Sequence, residues 1–314
     1  MFRSPQAKHR EDVVGAEGTF ILGDWGTSAL RLWLVDADGF VLDRLQTTDG
    51  AGTLQGDAAG AVFSRVTQPW RAKHSPRIAI LCGMVGRRGG WVEAPYLTPD
   101  RWSELPQHVA HLRLPDMDVR VVPGLRTRAA DDVMRGEETQ ILGLTRHQPD
   151  FDGAICLPGT HTKWCQLAGG QIASFRTEMT GELFALLSRS SVLRDAVGPG
   201  FDDAAFDIAT AEALNDPRAM GRLFGIRADW LLRDTDPAAG LSRLSGLLIG
   251  AEVARAIPDI NGQNVALIGT GELTDKYARV LRFAGYDVQI QSGEEMAIAG
   301  LTSIANQMFE LTDG

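Results

Sequence analysis

Two short stretches of this chain set a glycine among hydroxyl side chains: Gly23-Asp-Trp-Gly-Thr-Ser28 and Leu157-Pro-Gly-Thr-His-Thr-Lys163. A tight turn at Gly26 or Gly159 lets backbone N–H groups approach a ligand, and Thr27, Ser28 and Thr160 add hydroxyls. Successive N–H groups and hydroxyls of this kind hold phosphate. Asp24, delivered by an apolar strand, can hold Mg²⁺ through water, as hard cations prefer. His161 can meet a terminal phosphate or orient its own loop, and Lys163 can bind phosphate or point outward from a strand. Either loop alone reads equally well as a plain hairpin turn. Two of them, one in each half of the chain, are far more specific.

The elements needed to position these loops also occur twice. Around the first loop, Ile21–Asp24 and Leu30–Val35 read as strands, Asp36–Gly39 as a turn and Phe40–Leu45 as a third strand. A helix over Gly60–Lys73 and a strand over 77–85 follow, opening into the glycine loop Gly86-Arg-Arg-Gly-Gly90. Residues 153–178 repeat the strand, the Gly-Thr loop, a strand, a Gly-Gly turn and a strand. Thr180–Leu193 is predicted as an amphipathic helix with Thr180 as its N-cap. Helix-forming sequence fills Gly200–Asp234 and Leu244–Ala256, and Asn264–Gly269, Glu272–Phe283 and Asp287–Gln291 read as strand, helix, strand. Each half then carries a near-copy of one helix start, RGEETQILGL at Arg135–Leu144 and SGEEMAIAGL at Ser292–Leu301. A long-period duplication with two copies is not a solenoid. It predicts two related α/β domains facing each other across a cleft, and paired phosphate loops are the signature of the actin-like ATPase fold.

Composition narrows the function classes. The 314 residues carry a net charge of −9, which argues against non-specific binding to nucleic acid or an anionic membrane. The three cysteines lie in apolar runs without a C-x-x-C, which points to buried thiols rather than disulfides or structural zinc. The polar start has no apolar signal segment, and no apolar run approaches the length of a membrane span. The expectation is a cytoplasmic protein with a loose tail over residues 1–18.

Longer runs support a specific resemblance. CGMVGRRGGWVEAPYL (Cys82–Leu97), DVMRGEETQILG (Asp132–Gly143), LPGTHTKW (Leu157–Trp164), MTGELFALLS (Met179–Ser188), SGLLIGAE (Ser245–Glu252) and ALIGTGELTDKYARVL (Ala266–Leu281) closely resemble the 2-dehydro-3-deoxygalactonokinase family. The resemblance spans nearly all the chain from Thr19 onward. It implies two duplicated actin-like ATPase (ribonuclease H-like) domains, over 19–134 and 145–291. Connecting helices at 135–144 and 292–314 would join them. It also implies transfer of the γ-phosphate of ATP, with Mg²⁺, to the 6-hydroxyl of 2-dehydro-3-deoxy-D-galactonate. Pro158 stands where other actin-like ATPases place the acid of the second loop, which leaves Asp24 as the main metal ligand.

Wider sugar-kinase relatives carry a Gly-Asp-Gln at a helix start about twenty residues before the second phosphate loop, and its Asp is the base. Gly136-Glu137-Glu138 lies at matching spacing, so Glu137 resembles that base. A carboxylate in reach of a sugar hydroxyl can orient it and accept its proton. Glu138 projects about 100° further round the helix and would hold metal-bound water or a backbone donor instead. Both acids could equally do no more than complement the helix N-terminus. The glycine-loop run resembles a sugar-acid pocket lining, with Gly83, Met84 and Trp91 in it, and Arg88 and Arg135 are the candidate cations for a substrate carboxylate. Assembly is open, a homodimer being one option.

Rival readings have less support. Residues 265–287 resemble a dinucleotide fingerprint, but Thr274 replaces the third glycine; Gly269 and Gly271 would instead let adenosine approach backbone. His108-x-x-His111 reads as two solvated helix histidines rather than a metal site. An actin-like ATP-binding switch or regulatory sugar sensor would need only the phosphate loops, whereas a kinase also needs a polar pocket.

Overall fold

The computed structural model describes residues 18–312. Apart from Gly18, the expected N-terminal tail lies outside the described residues. The described residues divide into two compact units, one of residues 18–151, 170–172 and 293–312, the other of 152–169 and 173–292.

Unit 1 is built on a sheet in the order β3-β2-β1-β4-β7-β6. Strand β1 (Phe20–Trp25) is buried at every position, and β2 (Leu30–Val35) is buried except at Arg31. These two pair antiparallel, as do β2 and β3 (Val41–Thr47), while β4 (Ile78–Gly83) lies parallel to β1. The near-continuous apolar runs Phe20–Leu22 and Ile78–Cys82 are what a central strand covered on both faces requires. Helix α1 (Asp57–His74) sends Phe63, Val66 and Trp70 into the core formed with Ile21, Leu32 and Leu81.

A small sheet of β5 (Tyr96–Leu97), β8 (Gly124–Arg126) and β9 (Val133–Met134) lies outside the sequence expectation, as does β6 (Ala110–Leu114), which forms an antiparallel hairpin with β7 (Met117–Val121), where the sequence leads to a short strand over Val119–Pro123. The hairpin changes the reading of the histidines. His108 ends a 3₁₀ segment over Pro99–Gln107 and His111 lies on β6, so they do not share a helix. Pro99 opens the segment, where no donor is needed, and Pro106 near its end removes a donor that a regular helix would use.

Unit 2 repeats the topology. Its sheet runs β12-β11-β10-β13-β14, matching β3-β2-β1-β4-β7 position for position. Strand β10 (Gly153–Leu157) pairs antiparallel with β11 (Thr162–Ala168) and parallel with β13 (Asn264–Ile268), which is parallel to β14 (Asp287–Gln291). Strand β12 (Gln171–Glu178) fills the β3 position. The GxG turn thus belongs to a mixed sheet in which β10 has the antiparallel β11 on one side and the parallel β13 on the other, not to an all-parallel dinucleotide unit.

Thr180 is the first residue of α3 (Thr180–Ser190), not its cap; Met179 caps it without a side-chain bond. The Thr180 hydroxyl is drawn inward to the buried Glu252 carboxylate and is not available to the helix end. This helix stops at Ser190, and a 3₁₀ turn over Val192–Ala196 follows, capped by Ser191. Helices α4 (Asp203–Asn215) and α5 (Phe224–Arg233) precede α6 (Pro237–Ala256), which starts earlier than its apolar stripe suggested because Asp236 caps it and Pro237 opens it. Gly246 and Gly250 let α6 approach α4 closely: a Cβ there would lie 2.5 Å from the Phe206 carbonyl and 3.0 Å from the Thr210 carbonyl. Helix α7 (Glu272–Phe283) follows β13.

The two Gly-Glu-Glu segments open α2 (Glu137–His147), which comes before β10, and α8 (Gly293–Thr312), which ends the described chain. Both belong to unit 1, and they pack on each other. A Cβ on Gly143 would stand 1.9 Å from the Met296 carbonyl oxygen, and one on Gly300 would stand 2.0 Å from that of Thr139. Thr139 and Met296 are equivalent positions of the two copies, as are Gly143 and Gly300. Each helix therefore offers its glycine to the same backbone carbonyl of the other.

Candidate active site

In unit 1 three chain segments meet almost without side chains. Strand β1 ends at Asp24-Trp25, β4 ends at Gly83, and α2 begins after Gly136. Gly83 has φ 90° and Gly136 has φ 109°, both conformations that favour glycine. A Cβ on Gly83 would lie 2.7 Å from the Trp25 carbonyl and 3.3 Å from Asp24 Oδ1. A Cβ on Gly136 would lie 3.3 Å from Gly83 Cα. The missing side chains bring Asp24, Gly83 and the Gly-Glu-Glu helix start into one neighbourhood. Thr139, just beyond it, also hydrogen-bonds the Cys82 thiol, whose pKa burial drives well above the ordinary value.

Asp24 is 8% exposed, and its Oδ2 accepts a hydrogen bond from Arg31 at 3.0 Å, its cross-strand partner in the hairpin. Burial pushes its pKa up, and the Arg31 guanidinium pulls it back toward the ionised form. Gly26, Thr27 and Ser28 form the turn between β1 and β2, with both hydroxyl residues exposed. The turn is braced from behind by backbone: Ala51 N–H donates to the Gly26 carbonyl at 2.9 Å and Gly52 N–H to that of Thr27 at 3.0 Å. Trp25 adds a bond from Nε1 to the Asp49 carbonyl, 2.7 Å.

Both acids at the start of α2 accept backbone hydrogen bonds. Glu137 Oε2 takes the Arg135 N–H at 3.0 Å, and Glu137 is half-buried. Glu138 is fully buried; its two oxygens take the Gly136 N–H at 2.9 and 2.7 Å, and Oε1 also takes the Thr139 hydroxyl at 3.0 Å. Burial, with the charge of Glu137 adding to it, raises the pKa of Glu138 to about 7. Glu138 thus holds the backbone donor foreseen for it.

The glycine-loop residues fall into two groups. Arg88 is exposed and Met84 half-buried. Trp91, by contrast, is a core residue, its ring 6.1 Å from Trp25 and 5.3 Å from Phe63. Arg135 is also buried: Nη2 donates to the Ala94 carbonyl at 2.8 Å, Nε to the Tyr96 hydroxyl at 3.3 Å, and the guanidinium lies 4.2 Å over the Tyr96 ring. Its Nη1 finds no hydrogen-bond partner among the described residues and faces Gly86, where a Cβ would be 3.0 Å away. Arg87, which the sequence did not single out, donates to the Leu54 carbonyl at 2.8 Å and anchors the glycine loop.

In unit 2, Gly159, Thr160 and His161 form the turn between β10 and β11, with Thr160 and His161 exposed. Counting back from the glycine, Leu157 and not Pro158 occupies the strand-end position that Asp24 fills in unit 1. The start of α3 braces this turn: Glu182 N–H donates to the Thr160 carbonyl at 3.0 Å and its carboxylate meets His161 Nε2 at 2.6 Å. Lys163 is buried on β11, its ammonium donating to Thr177 Oγ1 at 2.9 Å. Gly269 and Gly271 form the turn after β13; Gly269 leaves room for Thr274 Oγ1, 2.6 Å from where its Cβ would be, and Gly271 has φ 81°.

No cluster of three or more His, Cys, Asp or Glu side chains suited to a metal occurs among the described residues. A buried carboxylate such as Asp24, close to the exposed Thr27 and Ser28, is nevertheless a donor of the kind Mg²⁺ takes, since that ion keeps several waters and needs few protein ligands.

The doubled sheet order, with a glycine–hydroxyl turn after the first strand of each sheet, is that of the actin-like ATPase fold. The 2-keto-3-deoxy-galactonokinase family model matches residues 24–304. The chain is 37% identical to a Rhizobium meliloti protein assigned as a 2-dehydro-3-deoxygalactonokinase, over 94% of this chain and 99% of that protein. It is 36% identical to the 2-dehydro-3-deoxygalactonokinase of Escherichia coli, over 91% and 97%. A Sinorhizobium meliloti crystal structure assigned to the same kinase superposes with a TM-score of 0.82 at 36% identity, covering 92% and 96% of the two chains. The activator of 2-hydroxyisocaproyl-CoA dehydratase from Clostridium difficile shares the fold alone, with a TM-score of 0.52 at 10% identity over 94% and 97%. This chain belongs to the 2-keto-3-deoxy-galactonokinase family.

Proposed function

We propose that the protein phosphorylates 2-dehydro-3-deoxy-D-galactonate at its 6-hydroxyl, using ATP, to give the 6-phosphate. Family membership supports this reading. The observation that carries it is the junction at Asp24, Gly83 and Gly136, which sets a buried acid beside a helix that opens with a second acid, Glu137.

In this mechanism Glu137 orients the 6-hydroxyl and accepts its proton as the oxygen bonds to the γ-phosphorus and the bond to the bridging β,γ-oxygen breaks. The half-buried position and the bond from Arg135 N–H restrict how that carboxylate can turn. Gly26, Thr27 and Ser28 offer N–H and hydroxyl donors suited to phosphate oxygens, and Gly159, Thr160 and His161 offer a like set within their own unit. Mg²⁺, held by Asp24 directly or through water, supplies neutralisation of the phosphate charge when bound. Lys163, sealed against Thr177, supports its loop from behind, and the turn at Gly269 and Gly271 admits adenosine close to the backbone.

Arg88, exposed on the glycine loop, is the first contact for the substrate carboxylate. Arg135 is already committed to Ala94 and Tyr96 and shapes the wall beside it, while Gly83 and Met84 line the near side and Trp91 supports it from the core. ATP is a cytoplasmic substrate, so the reading places the reaction there.

A coupled ADP-release assay across 2-keto-3-deoxy sugar acids, with glycerol and glucose as controls, tests it. Turnover is expected with the galactonate-derived acid and none with the controls. ADP release with none of them would overturn the reading in favour of a nucleotide-binding switch or sugar sensor.

A further inference from the structure

Behind the phosphate turn of unit 2, the core contains a carboxylate with no part in the chemistry above. Glu252 lies on α6 in a run of buried residues, Leu244 to Val253, and is itself 0% exposed. Burying an ionised carboxylate costs several kcal/mol unless its lone pairs are satisfied, and an apolar residue would pack there without that cost. Burial raises its pKa, and the nearby Glu178 carboxylate pushes the same way.

Its hydrogen-bond partners show what the acid does. Oε1 accepts from Trp164 Nε1 and Oε2 from the Tyr277 hydroxyl, each at 2.7 Å. The Thr180 hydroxyl is a third partner. Because Tyr277 spends its proton on Glu252, its oxygen accepts from Thr162 Oγ1 at 3.0 Å. Thr162 and Trp164 are on the strand that leaves the turn, the first of them immediately after His161. Thr180 opens the helix that backs the turn: a Cβ on Gly181 would lie 2.3 Å from the Gly159 carbonyl, and Glu182 bonds both Thr160 and His161. One carboxylate therefore ties together the two elements that bracket Gly159-Thr160-His161.

We infer that Glu252 is a positioning residue for this turn: it fixes the spacing of β11 and α3 so that the N–H and hydroxyl groups of Gly159, Thr160 and His161 stay aimed at nucleotide phosphate. It touches neither substrate. The inference rests on reading this turn as a phosphate loop.

Four variants test it: Glu252→Gln and Glu252→Val alter the carboxylate, and Tyr277→Phe and Thr180→Val each remove one of its partners. Binding of a non-hydrolysable ATP analogue with Mg²⁺ is measured by calorimetry without sugar acid, beside KM for each substrate, kcat and the thermal midpoint. Folded variants are expected to lose at least tenfold in analogue affinity, with KM for the sugar acid within twofold of wild type. Glu252→Gln, which keeps the size and one acceptor oxygen, should lose less than Glu252→Val. Analogue affinity within twofold of wild type in Tyr277→Phe and Thr180→Val overturns the inference, as does a parallel rise in both KM values, which marks general loosening. If wild type itself binds no adenine nucleotide, it is the phosphate-loop reading that fails.

Discussion

The turn at Gly26 and the turn at Gly159 have the same backbone plan and different surroundings. Each follows the first, fully buried strand of its sheet and leads into an antiparallel second strand. At the strand end the first has Asp24, paired with Arg31, and the second has the apolar Leu157. The first is braced by backbone at Gly50–Gly52, the second by a helix start tied to a buried carboxylate. Duplication has kept the arrangement of N–H groups that any phosphate would use, and the side chains have diverged. The Gly-Glu-Glu helices repeat the contrast. Glu137 stands near Asp24, whereas Glu294 accepts a bond from Trp33 Nε1 at 3.1 Å and lies 3.5 Å from Arg44.

The sharpest break of this contrast is Asp24→Ala, expected to abolish turnover, while Leu157→Ala in the other turn keeps it; steady-state assays on both decide, and equal losses would remove the asymmetry. Next, Glu137→Gln should retain nucleotide binding and slow transfer by roughly 10²–10⁴-fold. Wild-type single-turnover rates in that variant would end its role as base.

Glu138 gives a pH signature. Its folded pKa, raised from 4.5 to about 7, favours the protonated form, so its stabilisation is complete below pH 4.5 and is lost as pH rises through 7. Wild type should lose on the order of 2–3 kcal/mol from this group between pH 4.5 and 8, and Glu138→Gln should not. Parallel urea-denaturation profiles for the two proteins would refute this. Gly143→Ala and Gly300→Ala should each cost about 1–3 kcal/mol, and by similar amounts, because each Cβ meets a carbonyl of the partner helix. A large difference between their unfolding midpoints would show that the reciprocity is only geometric. The smallest effect belongs to Glu294→Gln: activity within twofold and a stability change below about 1 kcal/mol, since the Arg44 contact is exposed.

Local pattern made much of this visible in the sequence. The buried strands, the glycine turns and the duplicated helix start announce themselves through apolar runs and residue types that serve few other purposes. The pairing of Asp24 with Arg31 could also have been read, because a hairpin centred on Gly26–Ala29 places those two residues opposite each other. Glu252 left a weaker trace, a single acid in the apolar run SGLLIGAEVARA, and its partners Thr180, Tyr277 and Trp164 are 72, 25 and 88 residues away, beyond any local rule. Trp91 and Arg135 show the opposite difficulty. A glycine-rich, arginine-bearing loop suggests a ligand surface, yet these two side chains are committed to packing. Thr180 has the composition of a cap, but a buried carboxylate within reach competes for its hydroxyl. In each of these cases tertiary contact decides between uses that local sequence leaves equal.

The close approach of α2 and α8 follows the contact rule of a two-fold dimer: position i of one copy meets position j of the other, and j meets i. Here both copies lie on one chain, so the relation is that of a dimer interface fused into a single polypeptide. The nearest atom to each glycine is a backbone carbonyl oxygen, which any residue supplies, although Gly300 also lies against the Thr139 methyl. A chain with RGEETQILGL written in both places would still bring a glycine against a carbonyl twice, which makes this pair of helices a natural seam for exchanging one half of the protein for a relative's.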